Sequence, residues 1–98
     1  MLINIISAYR NVVALCDEDL IGKVFYENSF QLEIKENFYK GESKSKEEII
    51  EILKDMSAED ATFNIVGKES IQTALEAGII SKNEVKEISG IPFALVLL

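Results

Sequence analysis

The sequence predicts an α+β domain, a two-layer sandwich of a mixed, mainly antiparallel sheet with two helices on one face, in the order ββββαβαββ. Three observations carry this prediction. Short runs rich in β-branched residues fill the N-terminal third and return at the C-terminus. Two later segments switch to helical spacing, and turn-forming residues separate the runs. The chain has 98 residues, 48% of them hydrophobic, which suits a single domain over 1–98 and is too short for two ordinary ones.

The elements follow in order. LINIISA (2–8) and VVALC (12–16) are apolar and flank Tyr9, Arg10 and Asn11, which reads as a hairpin. KVFYE (23–27) and FQLEIK (30–35) form a second hairpin around Asn28 and Ser29. In it Phe30, Leu32 and Ile34 alternate with Gln31, Glu33 and Lys35. NFYKGESKS (37–45) reads as a loop. Ser45 and Glu48 have the spacing of a capping box, so a helix starts there, with Ile49, Ile52, Leu53 and Met56 as its apolar stripe. TFNIV (62–66) is a short strand ending at Gly67. KESIQTALEA (68–77) is a helix burying Ile71, Ala74 and Leu75 and stopping at Gly78. After a turn at Ser81–Glu84, VKEI (85–88) reads as a short edge strand. IPFALVLL (91–98) is the final strand, and its apolar residues on both faces predict a covered position.

Composition narrows the chemistry. There is no histidine, which removes Ser-His-Asp and Cys-His nucleophile activation and the usual zinc-ligand sets. No catalytic residue, metal site or cofactor is therefore predicted. The net charge of −7, from 10 basic and 17 acidic residues, repels phosphate backbones and argues against non-specific nucleic-acid binding. Lys40, Lys44 and Lys46 are the one close group of cations, but Glu42, Glu47 and Glu48 interleave with them, so a solvated surface is expected there. A lone cysteine fits a reducing compartment. MLINIIS lacks the marks of a signal peptide, and IPFALVLL is far too short to span a bilayer. A cytoplasmic protein without membrane contact is the expectation.

Two stretches raise the question of a site. LCDEDLIGK (15–23) sets Cys16 beside Asp17, Glu18 and Asp19. It reads as a strand end and a polar corner, with Asp17 and Asp19 accepting hydrogen bonds from nearby backbone N–H groups and Gly22 easing the turn. A Mg²⁺ site is the competing reading, but sequential acids rarely converge on one ion without ligands from elsewhere. The neighbouring acids disfavour thiolate, so Cys16 is read as structural. NIVGK (64–68) joins strand, glycine and helix start, the ingredients of an anion site to which Lys68 could contribute. One glycine is a weak signal, and a tight turn with Gly67 as N-cap is the plainer reading.

Several blocks together resemble a known family. LCDEDLIGKVFYENSFQLEI, FYKGE, NIVGK, EAGII and GIPFALV occur in order over nearly the whole chain and are similar to an archaeal family of uncharacterised proteins, domain of unknown function 424. The resemblance implies a small cytosolic archaeal α+β protein, associated with translation and ribosome-related genes, with no established activity. The chain departs from the family pattern at the YRNVVA turn, where glycines are usual, and at Lys40 in place of a glycine. It departs again at Lys68 in place of a glutamate, and at Phe93 and Leu95 where the family has His and Gln.

The leading functional expectation is a non-enzymatic binding module of archaeal translation or RNA processing, with a protein or structured RNA partner. The alternative is an enzyme or anionic-ligand binder using Lys23, Glu42, Asn64, Gly67 and Lys68 around the strand-to-helix turn. A homodimer built on an exposed apolar patch is the third reading.

Overall fold

The computed structural model describes residues 1–97. Its main sheet has six strands: β1 (Leu2–Ile6), β2 (Val12–Cys16), β5 (Glu42–Ser43), β6 (Thr62–Val66), β7 (Lys86–Ile88) and β8 (Ile91–Val96). They lie in the order β5-β1-β2-β6-β8-β7, and every neighbouring pair is antiparallel except β2 and β6. Two long helices, α2 (Lys46–Ala58) and α3 (Lys68–Ala77), cover one face, as the apolar stripes predict. The expected α+β class and mixed sheet are therefore present.

Strand alternation assigns the faces. Ile3, Val13, Leu15, Phe63, Ile65 and Ala94 point toward α2 and α3, where Ile49, Leu53, Ile71 and Ala74 meet them in one buried cluster. Phe63 is only 1% exposed, so Phe63→Ala would remove about 3–5 kcal/mol of stability. α2 starts where Ser45 and Glu48 predict: Ser45 Oγ accepts from the Glu48 amide at 3.3 Å, and Glu48 Oε1 accepts from the Ser45 amide at 3.1 Å. Gly78 closes α3 in the left-handed conformation.

The opposite face differs from the sequence expectation. The second hairpin, β3 (Val24–Glu27) and β4 (Phe30–Glu33), stays out of the main sheet and forms its own two-stranded layer. Its inward residues Phe25 and Leu32, with Ile34, pack on Ala14, Cys16, Val66 and Phe93. The loop expected at 37–45 instead contains a short helix, α1 (Glu36–Tyr39), and strand β5. Phe38 and Tyr39 draw that segment onto the sheet, and Asn4 Nδ2 donates to the Phe38 carbonyl at 2.8 Å. Gly41 is required where it passes β1, since a Cβ there would lie 2.1 Å from the Ile3 carbonyl oxygen. At the far end of the hairpin, the Ser89 amide donates to Glu27 Oε1 at 2.8 Å and its hydroxyl to the Tyr26 carbonyl at 2.5 Å.

Several boundaries shift by a residue or two. β1 ends at Ile6, β4 at Glu33, and β7 begins at Lys86. The final strand runs to Val96, and Leu98 lies outside the described residues. Among the described residues no helix is long and apolar enough to cross a membrane.

Candidate functional site

Because β2 and β6 run parallel in register, with Cys16 opposite Val66, both strands end at the same edge of the sheet. Open sheets commonly receive ligands at such carboxyl ends. Asp17 follows one strand and Gly67 the other, and the Asp17 amide donates to the Val66 carbonyl at 3.2 Å. Gly67 is the N-cap of α3, as expected, and it has φ 109° and no side chain to offer the first turn. Asp17 supplies what the glycine lacks. Its Oδ2 accepts from the Glu69 amide at 3.1 Å, and its Oδ1 accepts from the Ser70 amide at 2.8 Å and the Ser70 hydroxyl at 2.7 Å. The helix start therefore already holds an anion, the chain's own carboxylate. A Cβ on residue 67 would lie 2.3 Å from Asp17 Cγ, so glycine is needed for the close approach as well as for the backbone angle.

The three sequential acids go to three places. Asp17 caps α3, Glu18 accepts from Ser43 Oγ at 2.5 Å, and Asp19 faces a cleft of about 210 Å³. Among the described residues no group of three Cys, Asp or Glu side chains could hold a metal ion. Cys16 is fully buried, and burial, reinforced by the Asp17 charge, pushes its pKa up to about 11. Tyr39 is pushed up to about 12, by burial first and by Cys16 second. Neither group is poised for nucleophilic or proton-transfer work near neutral pH.

The five residues singled out in the sequence do not share one cavity. Lys68 lines the 210 Å³ cleft with Asp17, Asp19, Leu20 and Ile91, one residue from Gly67. Glu42 lines a separate groove and pairs with Lys44 at 3.0 Å. Lys23 is exposed just before β3, where its backbone serves the turn by bonding to Leu20 and Ile34. Asn64 is half-buried between Ala14 and Leu95 on the hairpin side of the sheet. The cations of the 40–46 segment are matched by acids: Lys40 meets Glu36 at 3.2 Å, Lys44 meets Glu42, and Lys46 meets Glu76 at 2.5 Å. The hydrogen bond from Glu42 raises the pKa of Lys44. Phe93 and Leu95 separate in environment. Phe93 packs into the second core, while Leu95 is 52% exposed.

Sequence reasoning missed the partner of Asp17. It gave the carboxylate to nearby amides, but the amides come from a helix start 52 and 53 residues away. A glycine N-cap without a side-chain acceptor was the available signal, because it leaves the first turn in need of an acceptor from elsewhere.

A family model described as protein of unknown function (DUF424) matches residues 6–98. The fold is similar to that of an uncharacterised conserved protein from Methanopyrus kandleri, whose crystal structure is 28% identical in sequence and superposes with a TM-score of 0.86. That match covers 97% of this chain and 88% of the other. No curated protein matches the chain.

Proposed function

The chain belongs to DUF424, a family of unknown function, so its role must be inferred from its own surface, and we propose that it is a non-enzymatic binding module. The reading extends to a cytoplasmic role in archaeal translation or RNA processing, with a protein partner favoured over structured RNA. The observation that supports the non-enzymatic part of this reading is the Asp17 carboxylate on the α3 amides. An anionic substrate at the Gly67 turn would have to displace an internal, charge-assisted acceptor before it could bind. The excess of acidic residues favours a partner that is a protein with basic character over a nucleic acid.

The test has two arms. Tagged protein is purified from native lysate with and without RNase, and a partner that survives RNase is expected. In parallel, the protein is titrated with inorganic phosphate and with a nucleoside triphosphate while thermal stability and the Glu69 and Ser70 amide resonances are followed. Saturable shifts at those amides, weakened by Lys68→Ala, would replace this reading with the anionic-ligand one.

A further inference from the structure

The edge of the main sheet at β1 is only half covered. β5 pairs with Leu2 and Ile3 and no further, and the Lys44 amide donates to the Met1 carbonyl. In an antiparallel ladder the bonding groups of alternate residues face the same neighbour, so residues 1, 3 and 5 turn theirs toward β5. At Gly41 the chain bends away toward α1, which leaves the amide and carbonyl of Ile5 facing an open edge. No charge, proline or bulge protects Asn4, Ile5 and Ile6, the usual devices on a free edge.

Behind this edge lies a groove of about 270 Å³, lined by Ile3, Ile5, Gly41, Glu42, Lys44 and, from α2, Ile52. Ile5 is 42% exposed on the helix side of the sheet, so an apolar wall and an unpaired backbone meet in one place. On α2, Glu48 and Asp55 flank Ile52 at helical spacing, and both are exposed. Lys44, the groove's one cation, is held at 3.0 Å by Glu42 and at 4.0 Å by Glu48. The rim is therefore acidic.

We propose that the β1 edge receives a short extended segment of another protein, which adds as a strand beside Ile5. One aliphatic side chain of the guest enters the groove against Ile52, and Lys or Arg residues on either side meet Glu42, Glu48 and Asp55. The unpaired backbone selects an extended chain, the groove selects an aliphatic residue, and the acidic rim selects basic flanks. A second copy of this chain is the poorer fit. It carries the same −7 charge, and its own Asn4–Ile6 edge has no basic residue. The proposal rests on the binding-module reading and names the kind of partner.

The experiment titrates isotopically labelled protein with a blocked Lys-Thr-Val-Thr-Lys peptide, whose two lysines share a face with the valine, to millimolar concentration. Amide shifts confined to Asn4–Ile6 and Ile50–Met56 are expected, together with slowed hydrogen exchange at Ile5. The same peptide N-methylated at alternate backbone nitrogens should bind roughly tenfold more weakly or worse, as should wild-type peptide with an Ile52→Glu variant. Equal binding of the methylated peptide, shifts located elsewhere, or no shifts would overturn the proposal. A self-association detected at the same edge by dilution would overturn it in favour of the second copy. None of these failures touches the RNase-resistant partner, so the two readings fall separately.

Discussion

Asp17 and Gly67 form a coupled pair, and a double-mutant cycle gives the coupling a size. The carboxylate of Asp17 accepts two helix amides and the Ser70 hydroxyl, and Ser70 is fully buried. A net hydrogen bond to a charged group contributes about 1.5–3 kcal/mol, and leaving a buried hydroxyl without its partner costs about 1–3 kcal/mol. These contributions share one side chain and do not add fully, so Asp17→Ala should lose about 2–4 kcal/mol. Asp17→Asn keeps one acceptor oxygen but presents an amide to the remaining helix N–H, and should fall between wild type and Asp17→Ala. Gly67→Ala adds left-handed backbone strain of about 1–3 kcal/mol, and its Cβ evicts the carboxylate as well. The eviction loses the cap, so Gly67→Ala alone should already include the cost of Asp17→Ala. The double mutant should then be no less stable than Gly67→Ala within about 0.5 kcal/mol, where independent sites would add. With no tryptophan in the chain, urea denaturation is best followed by far-ultraviolet circular dichroism. An Asp17→Ala midpoint equal to wild type, or simple additivity in the cycle, would refute the account.

Three further outcomes are expected. Ser45→Ala should destabilise α2 by about 0.5–2 kcal/mol in the same denaturation assay, because it removes the acceptor for the Glu48 amide. Folded Cys16 titrates near 11 instead of 9 and Tyr39 near 12 instead of 10, so both favour the native state in their neutral forms. Their contribution is complete below pH 9, declines as pH rises through the folded values, and amounts to about 2–3 kcal/mol for Cys16 alone. Cys16→Ala should flatten the stability profile between pH 9 and 11, and the wild-type thiol should resist a thiol reagent at neutral pH. Phe93→Ala should lose about 2–4 kcal/mol while Leu95→Gln stays within about 0.5 kcal/mol of wild type, since the first packs into the second core and the second is exposed.

What was legible in the sequence was local. The α2 start, the Gly78 stop and the alternation of the β3–β4 hairpin each depend on residues within a few positions of one another. The placement of that hairpin was not legible, because Phe25, Leu32 and Ile34 present an apolar face that fits equally well in a sheet or across one. The 37–45 segment was misjudged for a related reason. Phe38 and Tyr39 look isolated in the sequence, and only the open face of β1 and β2 makes a helical turn worthwhile there. At the candidate site the glycine N-cap was read correctly and its acceptor was not, since the acceptor follows a strand that is adjacent only in three dimensions. The final strand was expected to be covered, and Phe93 and Leu95 both lie in it. Shared parity puts them on one face, but the hairpin covers only the Phe93 end of it.

The parallel pairing of β2 with β6 has a consequence for a chain still being made. Asp17 and Ser70 are 53 residues apart, and β2 has no partner on that side until Thr62–Val66 has left the ribosome. Synthesis at about 5–20 residues per second makes that wait on the order of seconds, far longer than hairpin or helix formation. Throughout it, the β1–β2 hairpin carries Val13 and Leu15 with no Phe63 or Ile65 to cover them. The nascent chain is thus most open to chaperone capture and misassembly between the emergence of β2 and that of β6. A stall in that interval would leave a sticky half-sheet, whereas a stall after β6 would leave the centre of the sheet paired.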